Sequence, residues 1–289
     1  MIVECVPNFS EGRDSAIIAS LGHAVESTPG AFLLDVTWDI DHNRSVLTFA
    51  GSPSAVAAAA FDAVKVAAGL IDLTGHSGVH PRLGAADVIP FVPVSGVTLD
   101  ACAEMARTTG RRIWEELRIP VYLYESAALR PECARLENVR KLAAAGLAPD
   151  FGERRHPTAG VCVVGARKFL IAWNINLLTS DVSVARAIAR EIRESSGGFP
   201  GVKAKGFPLR SRAQVQVSIN LVDFERTPLH VVFDAVAEKC KALGIAIAGS
   251  ELIGMIPAAA LAASPAAHDL KWENLRPDLV LENRLRALH

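Results

Sequence analysis

Apolar residues recur along this chain in two rhythms, one of period two and one near 3.6. Ile2 to Val6 is a short apolar run that predicts a strand. Ile17, Ile18, Leu21 and Val25 fall at helical spacing and predict a helix over 13–27, stopped before Pro29-Gly30. Residues 32–36 and 45–49 read as strands, the second alternating Val46 and Thr48 against Ser45, Leu47 and Phe49. Ser52-Pro53 then opens an Ala-rich helix to about Leu70, with Ser52 as N-cap and Pro53 in the first turn. Residues 88–94 close the group as another strand. The order is β-α-β-β-α-β.

The same order returns in the second half. Strands are predicted over 169–177, 204–209, 215–221 and 245–253, and helices over 182–194 and 227–243. Thr179, Ser180 and Asp181 are cap candidates for the first of these helices, and Thr227-Pro228 opens the second as Ser52-Pro53 does in the first half. Residues 95–168 add a helix (98–117), a strand (121–124), a polar helix (132–145) and a Gly/Pro-rich stretch. The expected fold class is α+β. It consists of two split-βαβ, ferredoxin-like (βαββαβ) subdomains, residues 1–168 and 169–289, with a substrate cleft between them.

Composition narrows the function classes. The 289 residues carry 30 Lys+Arg against 31 Asp+Glu, a formal net charge of −1, which removes the electrostatic case for a nucleic-acid or polybasic membrane binder. Half the residues are apolar and 6% aromatic, which suits Ala-faced helices packed closely on sheets. Cys5, Cys102, Cys133, Cys162 and Cys240 are scattered and form no CxxC, so neither a disulfide framework nor a structural zinc site is expected. The N-terminus has no basic n-region or cleavage site. Residues 242–264 hold one charge, Glu251, but Gly244, Gly249, Gly254 and Pro257 break them into a core strand and a helix, not a membrane span. A cytoplasmic location is expected.

Four polar segments interrupt this apolar frame. Thr74-Gly-His-Ser-Gly-Val-His-Pro-Arg-Leu-Gly-Ala-Ala-Asp87 places His76, His80, Arg82 and Asp87 on a loop anchored to the following strand. Gly78 and Pro81 argue against a helical zinc pair there, and a general acid/base histidine stands against a structural or metal-binding one. Asp39-Ile-Asp-His-Asn-Arg44, between two strands, is either a plain hairpin turn or a cluster of two carboxylates, an imidazole and a guanidinium. Val6-Pro-Asn-Phe-Ser-Glu-Gly12 joins strand to helix, with Asn8 and Ser10 as possible caps. Residues 149–160 are a linker or a flexible wall on the cleft.

Taken together, these segments resemble the formiminotransferase family. The matching motifs are Val3-Glu-Cys-Val-Pro-Asn-Phe-Ser-Glu-Gly12, His80-Pro-Arg-Leu-Gly-Ala85, Val121-Tyr-Leu-Tyr124, Ala148-Pro-Asp-Phe-Gly152, Gly165-Ala-Arg-Lys-Phe-Leu-Ile-Ala-Trp-Asn-Ile-Asn-Leu177 and Val222-Asp-Phe-Glu225, spread over nearly the whole chain. The resemblance implies transfer of a formimidoyl group between N-formimidoyl-L-glutamate and tetrahydrofolate, in histidine degradation and one-carbon metabolism. Tetrahydrofolate would be the co-substrate, with no metal or nucleotide, and the protein a homodimer. It implies that His80 is the catalytic histidine. Folate contacts are implied in the stretch after Pro-Asp-Phe-Gly, which holds Gly152, Thr158 and Gly160, and near Gly201. Glu153-Arg-Arg-His-Pro-Thr-Ala159 is shorter and more basic than in animal members, and the cyclodeaminase domain that follows in those members is not expected.

Given that reaction, one group must remove a proton from the attacking folate nitrogen and return it to the departing glutamate nitrogen. A histidine of ordinary pKa about 6.5 does both near neutrality. A carboxylate would hold the cationic amidine, the candidates being Asp39, Asp41 and Asp87. Cations would hold the glutamate and folate carboxylates, the candidates being Arg44, Arg82, Arg167 and Lys168, with Asn8 beside them. The rivals are a formyltransferase acting on N-formyl-glutamate, a metal-dependent hydrolase using His42, His76, His80 and Asp87, and a folate-binding module without catalysis.

Overall fold

A computed structural model describes residues 1–77, 82–265 and 268–288. The chain divides into two compact units, Met1–Lys168 and Phe169–His289. In the first, strand β1 (Ile2–Cys5) continues after a break as β2 (Asn8–Phe9), followed by helix α1 (Ser15–Glu26), β3 (Ala31–Asp39), β4 (Arg44–Gly51), α2 (Pro53–Leu70) and β5 (Ala86–Ser95). Then come α3 (Leu99–Leu117), β6 (Val121–Glu125), α4 (Leu136–Ala144) and β7 (Cys162–Ala166). The sheet runs β3, β4, β1/β2, β5, β7, β6. Its first four members are antiparallel, whereas β7 lies parallel between β5 and β6.

The second unit holds β8 (Ile171–Leu177), α5 (Val182–Ile192), β9 (Val202–Leu209), β10 (Gln214–Leu221), α6 (Leu229–Ala242) and β11 (Ile247–Ile253), then the short α7 (Ala258–Ala262) and α8 (Leu281–Arg286). Its sheet runs β11, β8, β10, β9 and is antiparallel throughout. Numbered within each βαββαβ group, both sheets place the first strand between the third and the fourth, with the second outermost beside the third. Both units are therefore mixed α+β with the same strand order, and the first is widened by β7 and β6.

Helices α1, α2 and α3 contribute to one core with the first sheet. Ala55, Ala59, Ala60, Ala63 and Ala67 of α2 pack there with Val3, Cys5, Leu47, Phe49 and Phe91. Alanine at these positions lets the helix backbone approach the sheet, as the composition predicts. By length and composition α2 could cross a membrane, the one such helix among the described residues, but its apolar face is core. Val139 of α4 packs on the other side of the sheet, with Val88, Tyr122, Tyr124 and Val163. In the second unit Trp173, Ile175, Val215, Val217 and Ile219 meet Ile188, Val232 and Phe233 of α5 and α6.

Four expectations change. Strand β7 replaces part of the stretch read as Gly/Pro-rich connection; its residues are all buried, so they show no alternation to betray a strand. Ser52 caps α2, accepting from the Ala55 N–H at 3.3 Å, but Thr227 does not cap α6, which begins after Pro228. Thr227 Oγ1 instead donates to the Pro200 carbonyl at 2.7 Å, so the two Ser/Thr-Pro starts are alike in place and unlike in bonding. Helix α1 is capped by Asp14, not by Asn8 or Ser10. Residues 149–160 are stitched to the first unit: Phe151 bridges Val121, and His156 and Gly160 bond each other's backbone at 2.9 and 3.1 Å.

Candidate active site

The break between β1 and β2 and a register shift opposite it begin the site. Asn8 faces Val88 and Phe9 faces Ala86, so Asp87 is the extra residue of a bulge. Bulges re-aim side chains, and here the carboxylate is fully buried. Its Oδ2 accepts from Arg44 Nη1 at 2.9 Å and from Arg140 Nη2 at 2.6 Å, and its Oδ1 from the Leu83 N–H at 2.7 Å. Burial pushes the Asp87 carboxyl up, but the two guanidinium charges and the Leu83 N–H together hold it below the usual carboxylate range. Arg44 Nε and Nη2 also donate to Asn8 Oδ1, at 3.0 and 2.7 Å. Asn8 thus orients the guanidinium from one side and Asp87 from the other.

The β3–β4 turn supplies a second layer. Asp39 Oδ1 accepts from the His42 N–H at 2.6 Å and lies 2.9 Å from His42 Nδ1, and that side-chain bond is the main reason the Asp39 carboxyl is lowered. Asp41, on the same turn, is half-buried. Gly12 is required beneath this turn: a Cβ there would sit 2.3 Å from the Asp39 carbonyl oxygen and 2.4 Å from the Arg44 nitrogen. Arg82 donates to the His42 carbonyl at 3.3 Å and to the Asn43 carbonyl at 3.5 Å, and contacts the His76 ring. Burial first, then the Arg82 charge, lowers the His76 pKa.

Residues 156–160 close the group. The Leu73 N–H donates to the Thr158 carbonyl and the Ala85 N–H to the Ala159 carbonyl, both at 2.9 Å. The Val161 N–H donates to the Leu83 carbonyl at 3.1 Å, and Arg155 reaches the same oxygen at 2.9 Å. Gly160, at φ +72, has no room for a Cβ, which would lie 2.3 Å from the Leu83 oxygen. Gly152, at φ +95, is pressed on the Trp114 ring. Arg167 and Lys168 end the unit: the Arg167 N–H donates to the Phe91 carbonyl at 3.1 Å, and Lys168 is exposed. Gly201, in the second unit, has φ +72 and abuts Asp223.

The first unit thus brings together Asn8, Asp39, Asp41, Arg44, Arg82, Asp87, Thr158 and Gly160 on four segments linked by hydrogen bonds. His80 lies outside the described residues, in the interval bounded by Ser77 and Arg82. Arg140 and Asn43 belong to the cluster and escape sequence reasoning. Arg140 sits on a polar helix where solvated arginines are the rule, and Asn43 reads as an ordinary turn residue. Burial pushes all five cysteine thiols up, Cys102 to about 11, so they are held protonated. Among the described residues no three His, Cys, Asp or Glu side chains are grouped to hold a metal ion.

Such a unit, with a buried ionic cluster of Arg44, Asp87 and Arg140 and a repeat of its strand order in the second unit, defines a mixed α+β protein of two sheets. The N-terminal subdomain of the formiminotransferase domain matches residues 2–167, and the formiminotransferase domain matches residues 172–282. The chain belongs to this family. It is 46% identical over 270 residues to the glutamate formimidoyltransferase of Streptococcus pyogenes serotype M1, covering 90% of each chain. It is 41% identical over 271 residues to the glutamate formimidoyltransferase of Thermoplasma acidophilum, covering 90% of this chain and 89% of that one. The formimidoyltransferase-cyclodeaminase of Rattus norvegicus is 44% identical over 276 residues, 90% of this chain and 51% of that protein.

Proposed function

We propose that the protein transfers a formimidoyl group between N-formimidoyl-L-glutamate and tetrahydrofolate, with His80 as the general acid/base. The observation that carries this reading is the convergence, in one unit of a formiminotransferase-family chain, of Asn8, the 39–44 turn, both flanks of the His80 interval and residues 156–160. Arg44, pre-aligned by Asn8 and Asp87, presents a guanidinium for a glutamate carboxylate, and Arg82 stands beside it. Asp87 has no exposure and spends both oxygens on Arg44, Arg140 and Leu83, so its part is to fix the guanidiniums. The cationic amidine then falls to Asp39 and Asp41, on the outer side of the same turn. Gly152, Thr158, Gly160, Arg167 and Lys168, all of the first unit, serve the folate.

In this reading His80 takes the proton from the attacking amine and delivers it to the departing glutamate nitrogen, as the carbon–nitrogen bond to folate forms and the bond to glutamate breaks. The buried thiols take no part. Both units are ferredoxin-like in this reading, supported by their shared strand order, and the protein works as a cytoplasmic homodimer. The deciding experiment follows tetrahydrofolate-dependent turnover of N-formimidoyl-glutamate and N-formyl-glutamate side by side. Preference for the first is expected. Preference for the second would make the protein a formyltransferase, and turnover lost to a chelator would make it a metal enzyme.

A further inference from the structure

We propose that Asn43 is a positioning residue for the transfer reaction, the joint that holds both ends of the His80 interval against the 39–44 turn. Asn43 is 5% exposed, and its backbone is left-handed at φ +49. Asparagine tolerates that conformation better than most residues. Its Oδ1 accepts from the Gly12 N–H at 2.9 Å, which fixes the amide's orientation. Its Nδ2 donates to the Ser77 carbonyl at 3.0 Å and lies 3.0 Å from His76 Nε2. Its own carbonyl accepts from Arg82. One side chain and one carbonyl therefore tie three segments together: the turn before α1, the residues just before the interval and the residue just after it.

Solvated turn asparagines bond to their own backbone a residue or two away. Asn43 bonds across 31, 33 and 34 residues instead, which a plain turn does not need. The inference rests on His80 as the acid/base group, since Ser77 and Arg82, the residues that Asn43 bonds, flank it in the sequence. A misplacement of about 1 Å caused by a mutation away from the chemistry can cost about 100-fold in rate.

The test is a double-mutant cycle between Asn43→Gly and His80→Ala, read as kcat and KM for both substrates on samples matched for thermal midpoint. Glycine keeps the left-handed backbone and removes only the side chain. Asn43→Gly is expected to lower kcat about 10–100-fold with each KM within about threefold, and to lose less than about twofold further on the His80→Ala background. Asn43→Asp keeps the oxygen for Gly12 but turns the donor toward Ser77 and His76 into an acceptor, so an equal loss is expected. Amide exchange at residues 76, 77 and 82 should quicken in both variants while that of β4 does not. The inference is overturned if kcat stays within threefold in both variants, if the same factor is lost on the His80→Ala background, or if neither variant folds. Near-wild-type transfer by His80→Ala alone would instead remove the reading beneath it.

Discussion

The two units turn the same corner with different residues. Strands β3 and β4 end their pairing at Asp39 and Arg44, and β9 and β10 at Leu209 and Gln214, so residues 40–43 and 210–213 are turns of equal length. The last residue of each is left-handed, Asn43 at φ +49 and Ala213 at φ +51. Turn length and the left-handed last residue are thus shared, and chemistry is not. Asn43 is buried and reaches three segments, whereas Ala213 is exposed with nothing beyond Cβ. The repeat supplies the scaffold, and one copy of its hairpin has been loaded with Asp39, His42, Asn43 and Arg44. The two copies differ in what fills the corner, and under the proposed function that filling carries the chemistry.

The sharpest way to break this comparison is to remove the charge on which the loaded corner is built. Asp87→Ala leaves Arg44 and Arg140 buried against each other, and the expected loss is about 3–5 kcal/mol of stability in the first unit by chemical denaturation. Because the folded Asp87 carboxyl is lowered, its stabilisation is complete above the ordinary carboxylate pKa of about 3.9 and is lost as pH falls through the folded value. Wild type should therefore lose more stability than Asp87→Ala on acidification below about pH 4. Equal acid sensitivity would show that the carboxylate is not what anchors the corner.

A smaller effect is expected on substrate binding, read on samples matched for thermal midpoint because Arg44 also pairs with the buried Asp87. Arg44→Ala should raise KM for N-formimidoyl-glutamate about tenfold or more, the usual worth of a charge-assisted pair. An unchanged KM would move glutamate recognition elsewhere. The smallest effect is expected at the corresponding corner of the second unit. Ala213→Gly relieves a left-handed alanine, worth about 1–2 kcal/mol, against about 0.4–1 kcal/mol of added unfolded-chain freedom. The second unit should gain up to about 1.6 kcal/mol by denaturation, with no change in turnover.

Much of this was legible beforehand because the period of apolar positions survives in every strand with one polar face. The βαββαβ order, the helix cap at Ser52 and the 39–44 turn all follow from local patterns. Strand β7 did not, since burial on both faces erases alternation. Thr227 misled because a Ser/Thr-Pro pair signals a helix start without saying which group the hydroxyl meets. At the site, charged residues flanking glycine and proline stood out, but the pairings of Asp87 with Arg140 and of Asn43 with Ser77 span 53 and 34 residues, beyond any local rule.

The central claim is that His80 moves the proton for formimidoyl transfer. The most direct check measures tetrahydrofolate-dependent transfer from N-formimidoyl-glutamate by wild type and His80→Ala, with tetrahydrofolate binding followed on the same samples. The account predicts a kcat lower by about 10²–10⁴-fold with folate affinity within about threefold. Transfer within threefold of wild type, with folate bound, would contradict it.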